Sequence, residues 1–267
     1  MVRWSPSLPV LLLVTAVASH AQAKPCGADA ASSISTDRPQ ITEASTAVPC
    51  GSLQFENGLA DTEAGGKWGL DLPETWMRWG VPGDGEVRFA VPDYFTNDQT
   101  ATGYSSGAGD VVLGYKQHFV PAKGLDVSVI PSLSFPTGSS QISSHGYDPS
   151  LQISWSRGLS KNWTAAGMFS VAWPTEPSGP NATGQASVYF DRQLTAPWDA
   201  WAEYSGSFPE RGTPAHILNM GTCVKPTPHQ QIDFHWSVGL SSAAPDYAIG
   251  VGYSVRFQLV RAKKSDH

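Results

Sequence analysis

The chain has 267 residues and a formal net charge of −6, and only 15% of its residues are charged. That fraction is low, because about a quarter of the residues of a typical globular domain are charged. No basic run is present, so the sequence lacks the electrostatic signature of a nucleic-acid-binding protein. No stretch approaches the roughly 18 to 20 consecutive apolar residues of a transmembrane helix.

The N-terminus has the three parts of a secretory signal peptide. Arg3 supplies a positive charge, residues 10–17 (VLLLVTAV) form a short apolar run, and Ala21-Gln22-Ala23 matches a cleavage site. We therefore predict a signal peptide at 1–23. The exported chain is then either soluble or spans a membrane as a β-barrel, since no apolar helix is available.

Residues 24–50 show little strand pattern, and Asp37 and Arg38 are their most concentrated charges. Two interpretations stay open. The segment is either a disordered periplasmic tail or a plug that enters the periplasmic mouth of the barrel. As a plug, it would place Asp37 and Arg38 against charged residues of the wall.

The three cysteines favour one disulfide, because export permits oxidation. Cys26 and Cys50 both precede the first strand, so we predict that they form the pair. Cys223 then remains as a lone thiol on a strand. The sequence has no CxxC motif and no cysteine cluster of the kind that binds a metal, so we expect neither a metal nor a cofactor.

From residue 51 onward the chain alternates between apolar and polar residues, as half-polar strands do. Residues 231–240 (QIDFHWSVGL) and 249–257 (IGVGYSVRF) alternate without a fault. Ten correct alternations in a row arise by chance on the order of once in a thousand. Each predicted strand has about the length that crosses a bilayer with a tilt of ~45°. We predict twelve strands, at 51–60, 68–80, 84–95, 108–120, 124–135, 147–158, 161–173, 183–195, 198–208, 214–224, 229–240 and 246–257.

Short and long connections alternate along the chain. Tight turns such as Pro82-Gly83 and Ala196-Pro197 are separated by longer connections at 95–107, 136–146 and 174–182. This alternation is typical of an outer-membrane barrel with periplasmic turns and extracellular loops. The fold class is therefore predicted to be all-β: a closed antiparallel up-and-down transmembrane barrel over 51–257, with a polar tail at 258–267.

A membrane barrel turns its apolar face outward, whereas a soluble sandwich or lipocalin-like barrel turns it inward. Three features favour the membrane arrangement: a nearly uncharged apolar face, aromatic residues near strand ends, and a last strand that ends at Phe257. We expect contact with outer-membrane lipid, recognition of the last strand by the barrel-assembly machinery, and a monomer. Pro92 and Pro131 each remove a ladder donor from a predicted strand, so we expect local irregularity there. The aromatic residues near strand ends are Trp68, Trp79, Tyr94, Phe119, Phe135, Trp163, Trp173, Trp198 and Phe208.

Several motifs follow one another in a specific order. They are Thr36-Asp37-Arg38-Pro39, residues 48–58 (VPCGSLQFENG), Arg78-Trp79-Gly80, residues 109–116 (GDVVLGYK), Phe135-Pro136-Thr137-Gly138, Gln231-Ile232-Asp233 and Ala244-Pro245-Asp246. Over about residues 30–257 the chain resembles the phenol meta-pathway degradation family. The resemblance implies an outer-membrane barrel with a part in the uptake of aromatic or other hydrophobic compounds.

Charged and amide side chains on the polar face must be solvated or paired inside the barrel. They either form a structural network or build a constriction that sorts solutes by charge and size. The expected constriction residues belong to strands that are neighbours across the closure of the barrel. They are Glu56, Arg78, Arg88, Asp233 and Arg256. Other members of the polar face are Gln54, Glu86, Asp110, Lys116, Asp126, Gln152, Asp191, Glu203 and His235.

Three aromatic residues fall on the polar face by parity, namely Trp76, Tyr189 and Trp201. They either line a path for apolar solutes or simply fill a narrow lumen. The predicted function is a channel for small, aromatic or hydrophobic solutes. The alternative is a structural barrel, or one that binds ligands through its loops, without transport.

A lipid-hydrolysing enzyme is an alternative to the channel. Ser143, Ser144 and His145 cluster as they might in an outer-membrane lipid hydrolase, but they lie in a predicted loop. The histidines on strands have no acidic partner at the sequence spacing of a catalytic triad or a metal site. We therefore predict no catalytic residues and no enzyme.

Overall fold

The described part of the chain folds into a closed antiparallel β-barrel. The computed structural model describes Cys26, Gly27, Asp29 and residues 31–100 and 103–260. The predicted signal peptide (1–23) and residues 261–267 of the predicted tail lie outside the described residues. Among the residues described, no helix is both long enough and apolar enough to cross a membrane. The strands are β1 (Ser52–Ala64), β2 (Lys67–Leu72), β3 (Trp76–Val81), β4 (Gly85–Ala90), β5 (Tyr94–Thr100), β6 (Gly103–Ala108), β7 (Val111–Ala122), β8 (Leu125–Phe135), β9 (Asp148–Gly158), β10 (Trp163–Ala172), β11 (Thr183–Thr195), β12 (Trp198–Pro209), β13 (Ala215–Thr227), β14 (Gln230–Gly239) and β15 (Tyr247–Gln258).

These fifteen segments form twelve barrel strands. β1 pairs with both β2 and β3. β3 pairs with β4 and β2 pairs with β5, and β4 and β5 pair in turn with β7 and β6. The segments β2 and β3 therefore form one barrel strand with a short interruption, as do β4 and β5, and β6 and β7. β1 pairs with β15 from Ser52↔Gln258 to Glu63↔Tyr247 and closes the barrel. The predicted fold class and strand number are confirmed.

Two details of the predicted strand pattern are wrong. The connection expected at 95–107 is mostly β5 and β6, whose pairing extends the barrel strands beyond the predicted ends. Pro92 lies not within a strand but in the gap between β4 and β5, because a residue without an N–H cannot donate to the ladder. Pro131 does lie in β8, and there the β7–β8 pairs skip from Gly114↔Ser132 to Gln117↔Val129.

The side chains are distributed with the apolar face outward. Val251 on β15 is 50% exposed and Phe257 is also half-exposed, while Ser254 between them is fully buried. Asp233 on β14 is 1% exposed, whereas its neighbours Ile232 and Phe234 face outward. A soluble barrel would have the opposite arrangement, so this exterior matches hydrocarbon and the buried polar residues face the lumen.

The two ends of the barrel differ in the length of their connections. At one end the turns at 82–84, 123–124, 159–162, 196–197 and 228–229 are short. The opposite end has the long loops 136–147 and 173–182, together with shorter connections such as 65–66 and 210–214. In outer-membrane barrels the short turns are periplasmic. Exposed aromatic side chains ring both ends, as interfacial girdles do; they include Trp79, Phe119, Trp163 and Trp198 near the short turns and Trp68, Tyr94, Tyr147, Trp173 and Phe208 near the loops.

A cation on the apolar face tests the assignment of inside and outside. Val251→Arg places a guanidinium outward near the middle of β15, where a lipid-facing charge costs about 2–4 kcal/mol. We expect that loss in the free energy of unfolding, measured with denaturant in lipid vesicles. Lys123→Ser, in an aqueous turn, is the control and should change it by less than about 0.5 kcal/mol. A cost for Val251→Arg no larger than that of the control would mean that this face does not touch lipid.

Candidate functional site: a plugged lumen

Residues 31–50, called the plug below, lie inside the barrel. Their backbone is held by the wall at both ends, since Ile34 N donates to Pro228 O at 2.7 Å and Val48 N donates to Glu86 Oε2 at 2.9 Å. The interpretation of this segment as a disordered tail is therefore wrong for the described residues. Backbone N–H groups buried in a lumen need acceptors, and the polar inner face of the wall supplies them.

Two wall carboxylates each accept successive plug amides. Glu56 Oε2 accepts from the amides of Asp37 and Arg38 at 2.9 and 3.1 Å. Glu203 accepts from the amides of Ile41 and Thr42 at 2.8 and 2.7 Å. The two glutamates belong to β1 and β12, so the plug is fixed between distant parts of the wall.

The Asp37 carboxylate stands among three cations of the wall. Its oxygens lie 2.7 Å from Lys116 Nζ, 2.9 Å from an Arg88 nitrogen and 3.2 Å from Arg78 Nε. All three cationic side chains are fully buried or nearly so. Burial by itself would raise the pKa of Asp37, but attraction to Arg78, Lys116 and Arg88 outweighs it and lowers that pKa below its ordinary value. Asp37 therefore stays ionised and neutralises charge that the wall cannot neutralise alone.

Arg38 is held at the seam where the barrel closes. Its guanidinium contacts Glu74 at 2.5 Å and Asp233 at 3.3 Å, and it donates to Val251 O at 3.2 Å. The side chain occupies a notch between Gly58 and Gly252, which face each other across the β1–β15 ladder. A Cβ on Gly58 would lie 2.2 Å from the guanidinium carbon, so only glycine leaves room for it.

The predicted constriction residues contact different parts of the plug. Arg78 bonds Glu56 at 2.5 Å and, with Arg88, surrounds Asp37. Asp233 instead binds Arg38. Arg256 hydrogen-bonds Ser32 and Ser33 near the entrance of the plug. These side chains are thus brought together by contacts with the plug. Glu86, Lys116 and Glu203, which parity also placed on the inner face, bind the plug as well.

A disulfide joins Cys26 to Cys50 and closes the plug into a loop. Cys223 is a free, buried thiol on β13. Both ends of the plug are therefore tied together at the short-turn end of the barrel, beside the start of β1. The carbonyls of Val48 and Pro49 pack against Gly80, where a Cβ would come within 2.3 Å of them.

Among the described residues, cavities lie in the lumen on both sides of the plug, and two of them are distinguished by their lining. The larger, of about 360 Å³, is bounded by Trp76, Asp93 and His235 on the side of the long loops. The smaller, of about 230 Å³, is bounded by Tyr189 and Lys225 on the side of the short turns. Only the larger reaches the roughly 300–1,000 Å³ usual for small-molecule sites.

One residue of the plug lies in the wall of both cavities. That residue is Gln40. It is partly exposed, and within the described part of the chain no hydrogen bond of its side chain is seen. No sequence pattern singled it out, because it lies in a segment without periodicity.

The predicted lumen aromatics do lie on the inner face. Trp76 borders the larger cavity, with the Arg88 guanidinium 4.4 Å from its ring centre. Tyr189 borders the smaller cavity. Trp201 is 4% exposed and packs against Gly221, where a Cβ would come 2.7 Å from its ring.

The candidate catalytic residues form hydrogen bonds within their own loop or to Asp110. Ser143 Oγ donates to Asp110 at 3.1 Å, the amide of Ser144 also points to Asp110, and the ring of His145 lies 3.2 Å from Ser140 O. Among the strand histidines, His118 pairs with Asp126, whose Oδ1 lies 2.8 Å from the ring Nε2. The hairpin between β7 and β8 brings these two together. No group of three or more potential metal ligands is found among the described residues.

The closed barrel, its apolar exterior, its aromatic girdles and its polar plugged interior define an outer-membrane β-barrel protein. The family model described as "Putative MetA-pathway of phenol degradation" matches residues 36–257. The chain belongs to this family. The predicted resemblance is thereby confirmed. None of the curated proteins compared with the chain is similar to it.

Solved structures of outer-membrane channels share the fold. An outer-membrane channel from Pseudomonas putida F1 has a TM-score of 0.61 at 12% identity, covering 79% of this chain and 97% of that one. The NanC porin has a TM-score of 0.55 at 10% identity, covering 76% and 98%. The KdgM porin in complex with disordered oligogalacturonate has a TM-score of 0.53 at 9% identity, covering 77% and 99%. At these identities the likeness concerns the fold.

Removing the central carboxylate should release the plug. Asp37→Asn leaves Arg78, Arg88 and Lys116 without their shared anion, and breaking a buried ion pair costs about 3–5 kcal/mol. We expect the free energy of plug opening to fall by that amount, measured by native-state hydrogen exchange of the Thr42 and Val48 amides.

The matched control for this variant is Asp126→Asn. It removes a half-buried carboxylate that pairs with His118 on the wall, a type of pair worth about 0–1 kcal/mol. Equal protection of the plug amides in Asp37→Asn and in the unaltered protein would show that the cluster does not hold the plug.

Filling the notch should displace Arg38. The Cβ of Gly252→Ala would lie 2.4 Å from Arg38 Nε and 2.6 Å from Asp233 Oδ1, and such overpacking costs about 1–3 kcal/mol. Gly158→Ala is the control, since nothing lies within 4 Å of its added Cβ. Hydrogen exchange of the Ile41 amide should accelerate in Gly252→Ala only. The same acceleration in both variants would instead indicate a general effect on the strands.

Proposed function

We propose that the protein is an outer-membrane channel for small solutes of aromatic or hydrophobic character, and that its plug keeps the channel closed at rest. The observation that supports this most directly is the position of Gln40 between two lumen cavities. A solute that enters from the long-loop side would need to pass only this part of the plug to reach the periplasmic side.

The way the plug is held supports opening by local movement. Its contacts with the wall are mainly hydrogen bonds and ion pairs, such as those of Thr42 with Ser187 and of Ser45 with Ser156. Replacing one such hydrogen bond by bonds to water costs only about 0.5–1.5 kcal/mol of net free energy. Within the described part of the chain the Gln40 side chain makes no such bond, so this side chain can move while the bonds of Arg38, Ile41 and Thr42 keep the neighbouring backbone in place.

The inner aromatic residues support the proposed class of solute. Trp76 and Tyr189 stand on opposite sides of Gln40 and offer apolar faces in a lumen that is otherwise polar. Membership of a family named for phenol degradation agrees with this class. Aromatic faces in series let a poorly soluble ring move without full exposure to water.

The size of residue 40 should set the current through the channel. In planar bilayers with KCl, Gln40→Ala should raise the single-channel conductance and Gln40→Trp should lower it, because the side chain separates the two cavities. Benzyl alcohol added to the bath should reduce the current through Gln40→Ala by occupying the same path. Gln193→Ala, an exposed glutamine at the short-turn end of β11, is the control.

Two results would contradict the proposal. Equal conductance of all four proteins would mean that the path does not pass Gln40. Absence of conductance in every variant, including one that lacks residues 31–47, would favour the alternative of a structural or loop-binding barrel.

A further inference from the structure

The larger cavity has a wall rich in acceptors. Its described lining includes five carboxylates and one guanidinium. Asp37 and Glu43 are neutralised by cations behind them, and Glu74 is neutralised by Arg38. Asp71 and Asp93 are left without any ion pair among the described residues, and both carboxylates border this cavity.

Three acceptor atoms of this wall also lack donors, although the Asp93 carboxyl does accept hydrogen bonds from the backbone of Glu74 and Thr75. An oxygen of Asp71 and one of Asp93 have no hydrogen-bond partner among the described residues. The same is true of Asn219 Oδ1, on a side chain that is only 2% exposed. Asn219 Nδ2 donates to Glu203 at 3.2 Å, which fixes the amide so that its oxygen is the free end. Unpaired buried acceptors are costly, so this cavity suits a ligand that brings donors.

An apolar surface lies beside these acceptors. Trp76 and Ile217 border the same cavity, as do Pro39 and Ile41 of the plug. Such a combination of one flat aromatic ring, aliphatic contacts and convergent polar groups is characteristic of small-molecule sites. Two carboxylates in one site are stabilised by a proton or by a positive charge placed between them.

We propose that the larger cavity binds small organic ammonium ions, with the N–H donors on Asp71, Asp93 and Asn219 and the apolar part against Trp76. A neutral ring with one hydroxyl donor binds less tightly, and a ring with a carboxylate is repelled. The proposal rests on the proposed function and makes it more specific, because it names the class of solute that binds in the cavity on the long-loop side of Gln40.

Three probes with the same ring and different charge test the site: benzylammonium, benzyl alcohol and benzoate. Their binding to the purified full-length protein in detergent micelles is measured by calorimetry at pH 7. Benzylammonium should bind most tightly and benzoate should not bind. The double variant Asp71→Asn/Asp93→Asn should lower the affinity for benzylammonium by about tenfold or more, which is the loss expected for a charge-assisted hydrogen bond. Its affinity for benzyl alcohol should change far less.

The single variant Asp93→Asn serves if the double variant does not fold, and Asp126→Asn is the control outside the cavity. Trp76→Leu should lower the affinity for benzylammonium and for benzyl alcohol alike, because both rings pack against Trp76. Binding of benzoate as tight as that of benzylammonium, or an unchanged benzylammonium affinity in the folded aspartate variants, would overturn the proposal.

Failure of the site and failure of the channel have different signatures. If conductance depends on residue 40 but benzylammonium does not bind, the site is wrong and the channel remains. If benzylammonium binds through the aspartates but no variant conducts, the site is correct and the protein is a binding barrel without transport.

Discussion

The ion cluster around Asp37 is the interaction on which the interior depends. A barrel that spans lipid must carry its polar groups inside, and here the wall places Arg78, Arg88 and Lys116 close together with little access to water. Buried cations without a partner are strongly destabilising. The wall contributes Glu56 and Glu86, but these also accept plug amides. The plug adds the carboxylates of Asp37 and Glu43, which pair with these cations, so barrel and plug are one electrostatic unit.

The fit between plug and wall also depends on missing side chains. Gly58 and Gly252 leave a notch for Arg38 across the closing seam, and Gly80 leaves room for the backbone of the plug where it reaches β1. Inward-facing glycines cost a strand stability, since they bury no side chain. Their positions opposite the plug explain why that cost is tolerated, and they make Arg38 the contact most sensitive to a single added methyl group.

The charges around the plug are unequal on its two sides. Three cations of the wall surround Asp37, whereas the larger cavity includes Asp71 and Asp93, which form no ion pair among the described residues. The interior is therefore neither a uniform water-filled pore nor a packed core. It contains at least two small cavities, and Gln40 borders both of them.

The sequence by itself determined the barrel, its inside and its outside. Strand alternation is a local property, because successive side chains point to opposite faces; parity alone therefore placed Glu56, Asp233 and Trp76 in the lumen. Only the tertiary structure decided that residues 31–50 fill that lumen and that Gln40 divides it. It also decided that His118 meets Asp126. The plug has no periodicity, and its partners lie up to 224 residues away along the chain; such contacts exist only once the barrel has closed around them.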